Sequence, residues 1–406
     1  MNSRITLFIH VTGDCVIKGG LRLKRIAVLL LIMLVLASCA VRPSEPQNPL
    51  IQWLEDAKLD ARETPEELYA AALKEDTLVV YSTSTRMMDT AKSFEKHYTG
   101  LTVKVEDIRE GELYDMLQNN YETENFDCDV ICSADGRGIL TNEFLPKMLA
   151  VKYVPYDISN KILPGNNEDT LMLAGEAPML QYNDVYYPQP PVSNWWELTG
   201  DEWRGKVYMP NPVRSVTTMA FLSMIVKHSD MMAKAYEELY GTSLEMPEDA
   251  GRTFIRRLAE NDVILVNSSD EVADAIGLPG SNSPYLGIMI SSKARLRDIG
   301  YEMTIHYDME PFCGVYTPIN IMMAGGSRNV NTAKLFIRWL LGETDGQGEG
   351  YKPYLQSGAW SVRSDVRDDT GVRSEELNLL YMDRAYMYEH KDDMLVFWEE
   401  LIGQRG

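Results

Sequence analysis

The chain has 406 residues, with 39 Lys+Arg against 60 Asp+Glu and a formal net charge of −21. That length is enough for two lobes or domains, and so acidic a surface repels nucleic acid and anionic membrane. Five cysteines are too few for a disulfide scaffold, so a buried apolar core has to hold the fold together.

In chain order, the first signal is the apolar run Ile26–Leu36. Arg22, Lys24 and Arg25 precede it and Leu36-Ala37-Ser38-Cys39 closes it. About a dozen apolar residues fall short of the ~20 that span a bilayer. A basic start, a short apolar stretch and small residues before the cut describe an export signal. The ending resembles a bacterial lipobox. That resemblance implies cleavage before Cys39, a lipid on the Cys39 side chain, and a protein tethered at the cell envelope, on the periplasmic face or cell surface. Residues 1–38 are then signal peptide and 39–63 a lipid-anchored tether. An ordinary signal anchor or a buried helix is the other reading of the run. Asp14, Gly19 and Gly20 sit oddly ahead of the basic stretch, and a start near Leu21 or Leu23 would make residues 1–20 an upstream extension of the reading frame.

Pro43, Pro46 and Pro49 mark the tether, with a short helix over Leu50–Lys58. Thr64-Pro65-Glu66-Glu67 starts a helix, with a cap, proline in the first turn and early acids. Strands and helices then alternate. Strands are read at Thr77–Tyr81, Leu101–Val105 and Asp127–Cys132. Helices are read at Met88–His97 (capped by Ser84 or Thr85), Glu110–Tyr121 and from Ala134 to Phe144. A second series follows. It holds strands at Met179–Tyr182, Lys206–Met209, Val263–Val266, Leu286–Ile290, Met303–Tyr307 and Val315–Met322. Its helices start at Ser215, Pro247, Ser269, Ser292 and Asn331, and the tail Ser374–Ile402 reads as mostly helical. Short apolar strands alternating with helices indicate α/β architecture with mostly parallel sheets. Ligands of such sheets bind beyond the carboxyl ends of strands, often at helix N-termini.

That rule selects polar loops directly after strands: Ser82 and Thr83 after the first, Ser133 and Asp135 after the third, Arg214, Ser215 and Thr217 in the second series, and Ser268 after Val263–Val266. Hydroxyls and free helix N–H groups suit an anion or a sugar oxygen, and an arginine beside them makes an oxyanion receptor. Each of these residues also has a plainer reading as a helix cap. Asp184 and Glu310 flank two strands that would cross between lobes, where an acid suits a ligand amine or a cation. Cys128 and Cys132 share a strand and stand ~13 Å apart along it, too far for a disulfide. They read as buried thiols, with a Cys132–Cys313 bridge left open. There is no Gly-x-Ser-x-Gly, no His-Glu-x-x-His and no Walker-type glycine loop. No metal site, cofactor or catalytic residue is expected.

Several local sequences, in order, resemble the type II periplasmic (extracellular) solute-binding proteins of ABC importers, family 1. The nearest subgroup binds ferric iron, aminoethylphosphonate or sugar phosphate. The residues are Leu78-Val79-Val80-Tyr81-Ser82, Asp129-Val130-Ile131-Cys132-Ser133-Ala134, Trp195-Trp196-Glu197-Leu198 with Trp203-Arg204-Gly205-Lys206-Val207, Asn331–Leu341, and Trp360-Ser361-Val362-Arg363. The resemblance implies an α/β two-lobed type II periplasmic-binding-protein fold. Each lobe would be a mixed, mostly parallel sheet flanked by helices, and two crossover strands would join them. Lobe I would comprise 64–178 and 312–345, and lobe II 179–311 and 346–406. It implies hinge closure on a small solute, delivery to a permease and ATPase, a monomer and no enzymatic activity. Ferric-binding members carry adjacent tyrosines after the strand matching Leu286–Ile290. Here Ser291-Ser292 stand there, and Tyr186-Tyr187 lie at the first crossover. An organic anion such as a phosphonate or sugar phosphate fits these loops better than bare ferric iron. The other readings are a cell-surface lipoprotein hydrolase and the solute-binding component of a sensor system.

Overall fold

The fold starts from a helix signal that works as read. Thr64 accepts from the Glu67 amide while the Glu67 carboxylate accepts from the Thr64 amide, a reciprocal cap that opens the helix Pro65–Ala72. The computed structural model describes residue 48 and residues 50–245 and 248–403. The signal run and Cys39 lie outside the described residues. Among those described, no helix is long and apolar enough to cross a membrane.

The elements are α1 (Leu50–Ala57), α2 (Pro65–Ala72), β1 (Leu78–Ser82), α3 (Met87–His97), β2 (Val103–Asp107), α4 (Glu110–Thr123), β3 (Val130–Ser133), β4 (Ala150–Val151), β5 (Leu171–Glu176), β6 (Pro178–Tyr182) and β7 (Val207–Pro210). They continue as α5 (Val216–Lys227), α6 (Ser229–Tyr240), α7 (Ala250–Glu260), β8 (Ile264–Val266), α8 (Ser269–Gly277), β9 (Leu286–Ile290), β10 (Thr304–Ile305), β11 (Gly314–Ala324), α9 (Val330–Leu340), β12 (Trp360–Ser361), β13 (Leu379–Tyr381) and α10 (Arg384–Gly403).

The main path of the sheet runs β2-β1-β3-β11-β6-β9-β7-β8. β1 pairs in parallel with β2 and β3, and β7 in parallel with β8 and β9. β11 and β6 run antiparallel to their neighbours and join the two parallel halves. This is the mixed α/β architecture expected. β11 is the spine: all eleven of its residues are buried, it pairs with β3, β4 and β5 along one part, and it meets β6 and β13 near Gly314.

Asp129 locks the first half. Its carboxylate accepts from the Val79 amide (2.8 Å), the Ser327 hydroxyl (2.7 Å), and the Asn329 amide (3.3 Å) and side chain (2.9 Å). That ties β1 to the turn between β11 and α9. In the second half Trp195 and Trp196 are fully buried, and their indole N–H groups donate to the Phe312 and Met232 carbonyls. Residues 50–63, read as part of the tether, pack on this body. Leu50 is buried, Trp53 donates to the Ser327 carbonyl, and the buried Lys334 ammonium reaches Glu63 and the Lys58 carbonyl.

Three readings change. Leu171–Glu176 is a fully buried strand that the sequence did not declare. A separate helix, Ser229–Tyr240, follows α5. The tail is not helical throughout, because Leu379–Tyr381 pairs in parallel with Gly314–Tyr316 before α10 begins. Cys128, Cys132 and Cys313 are buried free thiols, so the open bridge is absent. Burial pushes the Cys132 and Cys313 thiols up to about 12.

Candidate functional site

Parallel strands send their carboxyl ends to one edge of each half, and most of the selected residues gather there. Ser82 lies beside Cys132 in the β1–β3 register, which brings the loop after β1 next to the loop after β3. Ser82 is buried, and its hydroxyl bonds both the amide and the carbonyl of Ser84. The Thr83 amide donates to the Cys132 carbonyl. Helix α3 starts without a side-chain cap, so neither Ser84 nor Thr85 plays the capping role expected of it.

The Ser133 hydroxyl donates to Glu110 (2.6 Å), which also accepts from the Gly136 amide (3.0 Å). Asp135 is buried at φ 54°, in the left-handed region. Its oxygens already accept from the Tyr114 hydroxyl, the Leu140 amide, and the Thr141 amide and hydroxyl. Asp135 thus builds the loop from within, with its carboxylate engaged. Burial, then the charge of Asp135, raises the Glu110 carboxyl, and burial raises Asp135 as well.

A raised folded value means that the unfolded chain loses the Glu110 proton first, at about pH 4.5. The folded state therefore loses stability as pH climbs from there through the folded value. Glu110→Gln removes that titration and keeps an oxygen for Ser133 and Gly136. Urea unfolding should find this variant more stable than the native protein at pH 7.5, with the gain gone at pH 4. A gain that persists at pH 4 would place its cause elsewhere.

On the other half, Arg214 donates to the Asn267 side chain (2.8 Å) across the ends of β7 and β8. The Ser215 hydroxyl caps α5, accepting from the Thr218 amide and hydroxyl and sharing a hydrogen bond with Thr217. Ser268 caps α8 through the Glu271 amide. The two sets meet closely, since a Cβ added to Gly136 would stand 2.8 Å from Val216 Cβ. Only glycine allows the loop after β3 this near α5.

Asp184 and Glu310 are elsewhere. Tyr182 pairs with Leu286, the first residue of β9, and Pro178 with Ile290, the last. Asp184 therefore lies beyond the amino end of β9, where it pairs with Arg297 (2.6 Å). Glu310 is exposed, and its backbone bonds Ser193 and Trp195. Tyr186 and Tyr187 pack edge to face at that same far end, with the Tyr187 hydroxyl on the Pro284 carbonyl. At the near end, just after β9, the Ser291 hydroxyl accepts from the Ala177 amide and donates to the Gly358 carbonyl.

Two residues that the sequence reading passed over stand where the halves join. Arg86, one residue past the Ser82–Thr85 run, is largely buried, 2.6 Å from Glu176 at the end of β5, with its guanidinium 4.7 Å over the Tyr354 ring. Burial pulls Arg86 down, but Glu176 outweighs it and holds the guanidinium above its ordinary value. Arg295, in the turn after β9, is half-buried and donates to the Ser292 carbonyl. Burial and then the like charge of Arg86 lower it. Both line a cavity of about 680 Å³. In that cavity Lys92 pairs with Asp89 and Lys352 with Glu349, while Arg295 has no carboxylate partner within 4.0 Å among the described residues. Nearby Lys293 pairs with Asp270, though burial still lowers its ammonium. A signal for both arginines was present: each sits within five residues of a strand's carboxyl end. A chain of strongly negative charge has therefore gathered cations at one junction, with one guanidinium left over.

The chain is similar to the family described as bacterial extracellular solute-binding protein, whose model matches residues 89–378. No curated protein matches it. Among solved structures it resembles iron-bound HitA from Pseudomonas aeruginosa at 16% identity and TM-score 0.62, covering 80% of this chain and 99% of that one. It also resembles AfuA from Actinobacillus pleuropneumoniae with bound fructose-6-phosphate, at 16% identity and TM-score 0.61, covering 81% and 99%. A third is the ferric iron-binding protein A of Mannheimia haemolytica in an open conformation, at 17% identity and TM-score 0.54, covering 80% and 98%.

Proposed function

The chain belongs to the bacterial extracellular solute-binding protein family, and from that premise we propose that it captures a small organic anion between its two halves and hands it to the permease of an ABC importer. The observation that carries the choice of ligand is Arg295, a half-buried guanidinium with no carboxylate within 4.0 Å among the described residues, beside Arg86 from the opposite half. Glu176 and Asp270 offset the burial and the charge of Arg86 only in part, and a ligand anion supplies the direct partner. A phosphate, phosphonate or carboxylate group does so with bidentate geometry.

Ser82, Thr83 and Ser133 follow strands of one half and Arg214, Ser215, Thr217 and Ser268 strands of the other, outside the lining of the Arg86–Arg295 cavity. On closure these loops come to the solute from either side, and the helix N-termini among them favour its negative charge. Closure is favoured by the solute because only the closed arrangement brings both sets to it. AfuA, of the same fold, holds a sugar phosphate, while HitA holds iron. Tyr186 and Tyr187 lie at the far end of β9, away from this junction, and the chemistry here is cationic, so a bare ferric ion is the poorer match. The lipid on Cys39 places the protein at the cell envelope, next to its permease.

A thermal-shift screen of the purified protein tests the proposal, using phosphate esters, phosphonates, dicarboxylates, neutral sugars and ferric salts. A ligand at ~100 times its dissociation constant adds ~2.7 kcal/mol, which raises the midpoint by a few degrees in a chain this long. A shift with one anionic class, absent in Arg295→Ala, is the expected result. A shift with ferric salts alone, or turnover of a model ester, would overturn it.

A further inference from the structure

A second cavity, of about 560 Å³, lies between β11, the loop before β5 and the segment leading into α10. It shares no lining residue with the Arg86–Arg295 cavity. Part of its wall, Tyr381 to Ala385, comes after residue 378, where the family match ends.

Its floor is aromatic. The Tyr316 ring lies across β5 at Gly175, where an added Cβ would be 1.9 Å from the Tyr316 hydroxyl oxygen. No other residue type leaves room for that ring. Trp360 stacks behind it (centroids 5.9 Å, 29°) and Tyr381 leans on it (5.2 Å, 40°). Tyr316 is only 7% exposed, and its hydroxyl has no hydrogen-bond partner among the described residues.

The rim is acidic. Glu168, Asp169, Glu375 and Asp383 line the cavity against Arg384 alone. Asp383 is paired with Lys227, and Arg384 donates to the Asn320 side chain. Glu168, Asp169 and Glu375 remain, with Glu375 only loosely held by the exposed Arg373 at 3.4 Å. Glu375 shares the cavity wall with Tyr316 and Tyr381.

We infer that the cavity enclosed by Tyr316, Tyr381, Glu168, Asp169 and Glu375 is a second binding site, which takes a small organic cation. A cavity of this volume fits a small molecule. A substituted ammonium laid on the exposed Tyr381 ring, which leans on Tyr316, gains a cation–π contact, while the carboxylates supply its counter-charge.

Calorimetric titration with choline chloride, against sodium chloride at matched ionic strength and maltose as a neutral polyol, tests this. Saturable binding of choline is expected, weakened about tenfold in Tyr381→Leu and in Glu375→Gln. Tyr381 is 57% exposed, so its replacement should fold normally. Neither variant touches Arg86 or Arg295, so the response to inorganic phosphate should match the native protein. The inference is wrong if choline gives only dilution heat, if Tyr381→Leu binds it unchanged, or if maltose binds in its place.

Discussion

Replacing Arg295 with alanine is expected to weaken binding of the anionic solute about 30- to 700-fold, the equivalent of ~2–4 kcal/mol. The unliganded protein should be no less stable for it. Both effects come from one feature. Arg295 is drawn out of water beside Arg86, and its hydrogen bond is to a backbone carbonyl rather than a carboxylate. In the empty cleft, desolvation and like charge both work against it. In the loaded cleft the anion satisfies it. Residues that bind often cost stability, and their removal then relieves the fold.

Arg86 should behave oppositely. Its partner Glu176 is buried, so Arg86→Ala leaves a buried carboxylate without its cation and costs about 3–5 kcal/mol. Loss of binding in that variant would be mixed with loss of structure, which makes Arg295 the cleaner probe. Calorimetry for affinity and urea melts for stability, run on the same two variants, check the contrast. An Arg295→Ala protein that binds the anion normally, or that unfolds as easily as Arg86→Ala, would count against the assigned roles.

An effect on stability as large as that of Arg86→Ala should come from Asp129. Asp129→Ala strips a buried carboxylate that collects four donors from β1 and the β11–α9 turn. Each donor left without a partner costs ~1–3 kcal/mol, softened by relaxation and water entry, so a net loss of about 3–5 kcal/mol is expected. Asp107, exposed at the end of β2 with no comparable set of donors, should change stability by less than about 0.5 kcal/mol when replaced by alanine. Urea midpoints measured side by side settle this. Equal midpoints for the two variants would mean that Asp129 does not clamp the first half.

Asp129 also shows what a motif can and cannot convey. Its place in the stretch running to Ala134 is part of the family resemblance, and the strand that follows it, Val130–Ser133, overlaps the Asp127–Cys132 stretch read as a strand. What it does depends on Ser327 and Asn329, about 200 positions along the chain, and no local pattern encodes that contact. The same limit accounts for the elements missed. Leu171–Glu176 is a short apolar run whose strand character comes from lying between β11 and β12. Leu379–Tyr381 reads as helix within a Tyr- and Met-rich tail, and becomes a strand because Gly314–Tyr316 offers it an edge. Ser229–Tyr240 follows α5 directly at His228, and nothing in the polar run around it announces a second helix.

Within the site, the strand-end rule picks loops that parallel pairing does bring to one edge of each half. It could not say which side chains are already used. Asp135 is a good ligand by type, and the structure engages both its oxygens internally. Arg86 and Arg295 are unremarkable in the sequence, 209 positions apart, and gain meaning only where the two halves meet.

A crystal structure of the protein grown with the strongest anion from the thermal screen would test the central claim most directly. The expected result is density for the anion between the two halves, with an oxygen within ~3 Å of the Arg295 guanidinium and the loops of Ser82 and Ser215 closed around it. Density for the solute at Tyr186–Tyr187, or an Arg295 still turned to the Ser292 carbonyl with the anion bound elsewhere, would contradict it.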